Sequence, residues 1–218
     1  FNEEKTLLTI LKKVNTLKKY CDLEIIVVND GSKDSSGEII NKNRKLYKKN
    51  INLKKNYGKG KAVIEGLKQS KSEYVIIQDA DLEYDPKDII NFIDQIKNHN
   101  FDLIMGSRFI GNQRTVLHFW HMIGNKFITF LFNLINNTTF TDIYCCYIFF
   151  KRDLISSDNL KSKGFEQHAE ILCKLVKKGT KFFEVPVNYN GRTISEGKKI
   201  KFYHIFSIIF QMIKNRVF

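Results

Sequence analysis

The sequence predicts an α/β fold in which a mainly parallel β-sheet is flanked by helices. Short apolar segments of strand type alternate with amphipathic segments of helical spacing along the first half of the chain. Several of the apolar segments stop abruptly at polar residues. Alternation of this kind is typical of parallel sheets with helices on both faces. With 218 residues, 43% of them hydrophobic and 27% charged, the chain has the size and composition of one globular domain.

The predicted elements follow one another in a regular order up to Gly111. A helix starts after Asn2 and shows apolar residues at helical spacing as far as Leu17. Strands are then expected at residues 23–28, 51–53, 74–77 and 102–106. Helices are expected between them at residues 35–46, 56–69 and 86–97.

Beyond Gly111 this alternation stops. Residues 116–136 form an aromatic-rich helical stretch, in which Trp120 and His121, with Gly124 and Asn125, are interpreted either as core aromatics beside a helix kink or as site residues. We expect a strand within residues 140–150, a helix at 165–178, a strand at 181–189 and a basic amphipathic helix at the end. The chain therefore divides into a domain over residues 1–199 and a C-terminal amphipathic helix over residues 200–218.

The net charge of +13 at pH 7 suits an anionic partner: a nucleotide, a lipid phosphate, a membrane surface or a nucleic acid. Much of the excess lies between Lys42 and Lys71, where Glu65 is the only acid among eleven Lys and Arg residues. A general richness in Lys, Asn and Ile would produce the same excess. The charge alone therefore leaves the partner open.

Four cysteines, Cys21, Cys145, Cys146 and Cys173, lack CxxC spacing and predict reduced thiols in the cytoplasm. Polar residues break every apolar stretch well short of the roughly 18 residues that a membrane span requires. The chain begins at Phe1 without a Met, so we expect its natural N-terminus to lie upstream.

An acidic segment, Tyr74–Pro86, is the strongest candidate for a binding site. Its apolar strand is followed by four carboxylates within seven residues, those of Asp79, Asp81, Glu83 and Asp85. Such carboxylates repel one another unless a cation is present. In an extended backbone Asp79 and Asp81 point to the same side, at the strand end where open α/β sheets bind ligands. The alternative is a solvated acidic turn.

Other strand ends carry polar motifs with two readings each. Asp30 is either part of a turn or an acceptor for the N–H of a base. Gly58 and Gly60 precede a helix, whose N-terminus favours anions, or they only form a turn. Val63 replaces the third glycine of a dinucleotide fingerprint, and no P-loop sequence follows. Arg108 suits forked phosphate recognition, although it could equally be a surface arginine.

Taken in order, these motifs resemble the family 2 glycosyltransferases. The segments are NDGS, NxGKGxA, DADLEYDP, GSRF, the pair Thr141–Asp142, EVPVNY and RTISEGKK. Within that family the sequence looks most similar to the dolichol-phosphate mannose synthases and their bacterial polyprenyl-phosphate relatives. The resemblance implies a GT-A type, Rossmann-like fold, a nucleotide-sugar donor, Mg²⁺ or Mn²⁺, and inversion at the anomeric carbon.

The resemblance also assigns roles to residues by position. It implies donor-nucleotide contacts for the residues Asn2, Glu3, Asp30, Gly58, Lys61 and Asp79. It implies acceptor-phosphate contacts for Arg108, His121, Asn125 and Lys198. Asp81 and Glu83 correspond to the metal-binding positions, and Asp81, Arg192 and Asp142 are the catalytic candidates.

Three departures from the family pattern stand out. Glu83 occupies a metal-ligand position that is often Gln. His121 stands where a phosphate-binding arginine is common, and Asn125 where a small hydroxyl residue is common. The strand that should precede Phe1 is missing.

The acceptor decides whether a general base is needed. A polyprenyl phosphate, with a second pKa of about 6, is mostly dianionic at neutral pH and needs only cations to position it. A glycan hydroxyl must lose its proton to a carboxylate, and Asp142 is the candidate. The many basic groups favour the phosphate, and the basic tail helix then lies on the inner face of the membrane. A nucleic-acid-binding module is the remaining alternative, but the acidic segment would repel a phosphate backbone.

Overall fold

The computed structural model describes residues 1–111, 118–191 and 204–217, with no account of the side chains of His204 and Val217. Within these residues the strands are β1 (Ile26–Asn29), β2 (Lys49–Asn52), β3 (Tyr74–Ile76), β4 (Leu103–Ser107), β5 (Ile148–Lys151) and β6 (Phe182–Pro186). The α-helices are α1 (Leu7–Asn15), α2 (Ser36–Lys42), α3 (Lys59–Gln69), α4 (Ile89–Asn98), α5 (Phe119–Asn136), α6 (Gln167–Lys178) and α7 (His204–Val217).

The strands form a two-stranded and a four-stranded sheet in an α/β arrangement. In the first, β1 and β2 are parallel, and in the second the order is β3-β5-β4-β6. β4 and β6 are parallel, while β5 runs antiparallel to both β3 and β4. β3, β4 and β6 therefore point the same way, which confirms the mainly parallel sheet, and β5 is the strand whose reversed direction the sequence did not indicate.

Helices cover both faces of the four-stranded sheet. Along β4, Leu103 and Met105 belong to one buried cluster and Ile104 to another, because successive side chains of a strand point to opposite faces. The first cluster includes residues of α3, α5, α6 and α7, and the second includes Phe92 and Ile93 of α4. The strand ends that carry the polar motifs are thus held by a core on either side.

The helix α5 differs from its prediction. It is continuous through Gly124, and the Trp120 side chain is 79% exposed. The interpretation of Trp120 as a core aromatic at a kink is therefore wrong. The buried residues of this helix, among them Ile128 and Phe132, lie on its other side.

The C-terminal helix α7 packs against α5 and α6. Its Ile208 and Met212 are buried in the core cluster to which residues of α5 and α6 also belong. The predicted start of this helix at residue 200 lies outside the described residues. Among the helices that the structure describes, none is both long enough and apolar enough to cross a membrane.

A cleft of about 790 Å³ separates the two sheets. β1 lines one side with Ile26 and Val28, and β3 lines the other with residues 74–76. These facing strands form no ladder with each other in the described part of the chain. Each of the two has one edge without a strand partner among the described residues.

Candidate active site

The polar end of this cleft collects residues that are far apart in the sequence. Glu3, Asp30, Asp79, Asp81 and Glu83 all line it. They come from the start of the chain, the end of β1 and the loop after β3. This is the edge of an open α/β sheet at which ligands bind.

The first residues of the chain bridge the ends of β1 and β3. The Asn2 N–H donates to Ser32 Oγ at 3.0 Å, and the Thr6 hydroxyl donates to the Ala80 carbonyl at 2.8 Å. Asn2 adopts a positive φ of 56°, and its side-chain oxygen accepts a hydrogen bond from the Lys33 N–H. Glu3 lines the cleft, whereas Asn2 is not among the lining residues, and the donor-binding role of both stays a prediction.

Asp30 has a clear structural partner. Its two carboxylate oxygens accept hydrogen bonds from the N–H groups of Tyr57 (2.8 Å) and Gly58 (2.9 Å). Gly58 has a φ of 100°, a conformation that favours glycine, and it leads directly into α3. Asp30 therefore fixes the N-terminal end of α3 beside the cleft, and any contact with a nucleotide base would be additional.

Lys59, rather than Lys61, reaches the acidic segment. The Lys59 ammonium donates to Asp79 Oδ2 at 2.6 Å, and its nitrogen lies 3.5 Å from Cys146 Sγ. The Lys61 ammonium bonds Glu65 at 2.6 Å, and Lys61 is not among the cleft-lining residues. Lys59 and Lys61 are two positions apart on α3, and residues at that spacing lie on different faces of a helix. Lys59 was not among the residues predicted from the sequence. The sequence feature that could have indicated its role is its position at the start of α3, next to the turn glycines.

The Lys59–Asp79 pair places one ammonium among the carboxylates at this end of the cleft. Burial is the largest single influence and would raise the pKa of Asp79, but the Lys59 charge and the hydrogen bonds from Lys59 and Cys146 together hold the pKa below its ordinary value. Burial would lower the pKa of Lys59, yet Asp79 and the neighbouring Cys146 hold it above its ordinary value. Both side chains are therefore charged near neutral pH, and the pair is internally neutralised.

Asp81 and Glu83 lie in the bends that follow the strand, because β3 already ends at Ile76. Asp81 Oδ1 accepts a hydrogen bond from the Glu83 N–H at 3.2 Å. Within the described residues, no three His, Cys, Asp or Glu side chains are grouped to hold a metal ion. Mg²⁺ sites often combine one or two carboxylates with substrate phosphates and water. Asp81 and Glu83 fit a metal of that kind, bound together with a donor diphosphate.

A neutral histidine lies beneath the pair. His168 is half-buried, lines the cleft and has its Nε2 atom 2.6 Å from the Ile143 carbonyl oxygen, so this nitrogen carries the proton. Burial and the positive charge of Lys59 lower the pKa of His168 to about 4. Sequence analysis did not single out this residue.

Arg108 and Asp142 form a buried ion pair. Arg108 Nε lies 2.7 Å from Asp142 Oδ2 and its Nη2 lies 2.8 Å from Oδ1, and the Arg108 backbone N–H also donates to Oδ2. Asp142 is 0% exposed and Arg108 is 9% exposed. The guanidinium carbon lies 5.1 Å from the centre of the Tyr189 ring, which lines the cleft. The ion pair therefore occupies both carboxylate oxygens of Asp142, the predicted general base. It also occupies one edge of the guanidinium of Arg108, the residue predicted to bind the acceptor phosphate.

The remaining acceptor candidates are placed differently or not described. His121 is exposed on α5 and Asn125 is half-buried there, and neither is among the residues that line the cleft. Arg192 and Lys198 lie outside the described residues. The structure therefore brings four of the six predicted donor residues, Glu3, Asp30, Gly58 and Asp79, to the cleft and leaves the acceptor side open.

The comparisons with known proteins show the family and the fold. The profile described as "Glycosyl transferase family 2" matches residues 1–157. The protein MJ0544 of Methanocaldococcus jannaschii is 31% identical over 207 residues, which cover 89% of this chain and 88% of that protein. The poly-beta-1,6-N-acetyl-D-glucosamine synthase of Staphylococcus epidermidis is 36% identical over 119 residues, which cover 54% of this chain and 29% of that protein.

Among solved structures, the glucosyl-3-phosphoglycerate synthase from Mycobacterium tuberculosis, in complex with Mn²⁺, UDP and phosphoglyceric acid, shares the fold. It aligns with a TM-score of 0.71 at 14% identity, covering 99% of this chain and 75% of that one. The protein therefore has the α/β fold of the GT-A glycosyltransferases. It belongs to glycosyl transferase family 2.

Proposed function

We propose that this glycosyltransferase moves a sugar from a nucleotide-sugar donor to a polyprenyl phosphate of the dolichyl or undecaprenyl type, with inversion at the anomeric carbon. The choice of acceptor rests on the engagement of Asp142. Both of its oxygens are bonded to Arg108 and it is fully buried, so it is poorly placed to take a proton from a hydroxyl. A dianionic phosphate needs no such base.

The donor occupies the polar end of the cleft in this proposal. Glu3 and Asp30 of the cleft lining contact the nucleoside together with Asn2, which is held next to Glu3 by Ser32 and Lys33, and the N-terminal end of α3 at Gly58 faces the phosphates. The Lys59–Asp79 pair lies beside them and keeps an ammonium near the diphosphate. The UDP bound by the mycobacterial structure of the same fold supports a nucleotide donor.

Asp81 and Glu83 would hold the divalent metal, Mg²⁺ or Mn²⁺. When bound, such an ion neutralises negative charge on the departing diphosphate. Arg192 and Lys198 are proposed to add positive charge to the same group. The Mn²⁺ in the mycobacterial complex supports this cofactor class.

In this proposal the acceptor phosphate is positioned mainly by cations, for which Arg108, Lys198 and protonated His121 remain the candidates, with Asn125 as a neutral hydrogen-bond donor. The enzyme would work as a peripheral protein on the cytoplasmic face of a membrane, where a polyprenyl chain resides, without a nucleic-acid partner. A second candidate is transfer to a hydroxyl of a cell-surface glycan. The partial similarity to the staphylococcal glucosamine-polymer synthase favours it.

A donor panel tests the proposal. Radiolabelled UDP-, GDP- and dTDP-sugars are incubated with Mg²⁺ or Mn²⁺ and a polyprenyl phosphate in detergent, and product is extracted into organic solvent. We expect an inverted glycosyl phosphate that disappears on chelation and in Asp81→Asn, but not in the surface control Asp94→Asn. Transfer to glycan hydroxyls and never to lipid phosphate would overturn the acceptor class.

A further inference from the structure

The helix α5 exposes an apolar stripe along its whole length. Six large apolar side chains, spaced at helical intervals, are open to solvent on it: Phe119, Trp120, Ile123, Phe127, Phe130 and Leu134. Isolated exposed apolar residues are ordinary, but a contiguous set marks an interaction surface.

The neighbouring helix α7 extends this stripe. Its Phe206 is 71% exposed, and Phe210 and Ile213 are also exposed. α5 and α7 pack against each other and bury their other sides, including Phe132 and Met212, in the same core cluster. Their exposed sides therefore face away from that core next to each other, and we call the nine exposed side chains together the α5/α7 face.

The charged side chains of α5 and α7 themselves have one sign. No Asp or Glu occurs between residues 103 and 141, nor after Glu196. The two helices carry the exposed cations Lys126, Lys214 and Arg216. A surface of aromatic and aliphatic side chains that is bordered by cations and contains no acids complements an anionic lipid surface.

We propose that the α5/α7 face docks on an anionic lipid bilayer, with its aromatic side chains inserted at the headgroup level and Lys126, Lys214 and Arg216 on the lipid phosphates. A second copy fits less well, because self-association would bring two basic surfaces together without acids to pair them. The proposal rests on the proposed function only in placing the enzyme at a membrane.

Vesicle binding tests this surface without any acceptor lipid. Purified protein is sedimented with vesicles of phosphatidylcholine alone or mixed with phosphatidylglycerol, at low and high salt. We expect binding to the anionic vesicles that weakens at high salt. Removing a lysine that borders the face should weaken this binding roughly fivefold. The double variant Phe130→Ser with Phe210→Ser should bind about tenfold more weakly or worse.

Tyr20→Ser is the matched control, because Tyr20 is an exposed aromatic outside both helices. It should bind vesicles like the unchanged protein. Circular dichroism and ultracentrifugation on each protein separate lipid docking from misfolding and from dimer formation. A folded protein that ignores anionic vesicles would overturn the proposal, as would a double variant that only dissociates a dimer.

The activity assay in detergent separates this inference from the proposed function. The double variant should keep its turnover with a polyprenyl phosphate dispersed in detergent, because neither phenylalanine lies at the cleft. If the protein binds vesicles but transfers no sugar to lipid phosphate, the docking surface stands and the proposed acceptor is rejected. If it transfers sugar to lipid phosphate but does not bind vesicles, the acceptor stands and the docking surface is rejected.

Discussion

Replacing Asp142 with Asn tests whether this residue is a structural partner of Arg108 or a general base. The carboxylate accepts two hydrogen bonds from the Arg108 side chain, at 2.7 and 2.8 Å, and one from its backbone N–H at 3.0 Å. Asp142→Asn keeps the shape but leaves a buried guanidinium without its counter-charge. We expect the free energy of unfolding to fall by about 3–5 kcal/mol, the cost of breaking a buried ion pair from one side.

Urea unfolding followed by circular dichroism measures this loss. The control is Glu38→Gln, which removes the carboxylate of the exposed pair with Lys42 and should cost less than about 1 kcal/mol. The double replacement Arg108→Met with Asp142→Leu should regain much of the stability, because an apolar pair of similar volume avoids the desolvation of two charges.

The kinetic result distinguishes the two roles. If Asp142 only supports Arg108, Asp142→Asn assayed below its unfolding midpoint should show no loss of a basic group from its pH–rate profile. The structural reasoning fails if Asp142→Asn unfolds at the same urea concentration as the unchanged protein while its turnover drops by about 10²–10⁴, the contribution of a general base.

Three further predictions follow from the cleft. Lys59→Met should raise the pKa of Asp79 and should raise the KM for the donor about tenfold, whereas Lys61→Met should change neither. If steady-state kinetics gave the two variants comparable increases in the donor KM, Lys61 would again be assigned to the donor site. His168, whose pKa is lowered from 6.5 to about 4, supplies stability that is complete above pH 6.5 and is lost as the pH falls towards 4. The free energy of unfolding from urea titrations should therefore fall by roughly 3 kcal/mol between pH 6.5 and 4, and this pH dependence should flatten in His168→Gln; an unchanged acid dependence would remove this role. A chain extended by an apolar strand before Phe1 should resist urea better than one extended by a Gly/Ser segment of equal length, and equal midpoints would count against the open strand edges as its binding place.

Local patterns in the sequence were sufficient for most of the secondary structure. Residues in a strand or an amphipathic helix repeat with the period of that element, so β3, β4 and the helices α1 and α4 could be located from their apolar spacing. The α2 helix was predicted to reach residue 46 but ends at Lys42, since Asn43 leaves the helical conformation. Helix ends depend on individual residues and are harder to read than periodicity.

The direction of β5 and the surface of α5 could not be predicted in the same way. β5 enters between β3 and β4 in reverse, and its apolar residues would suit either direction. The aromatic residues of α5 are as apolar as core residues, and only the position of the helix shows that Trp120 faces outward. Both features depend on which neighbour an element meets.

The sequence by itself determined the fold class, the acidic segment after β3 and the order of motifs that marks the family, because each of these is carried by residues close together in the chain. Only the tertiary structure decided that Lys59 neutralises Asp79, that Arg108 holds Asp142, and that α5 and α7 present one apolar face. These pairings join residues 20, 34 and about 80 positions apart. Distances of that kind are determined by how the helices and sheets pack, and no local pattern records them.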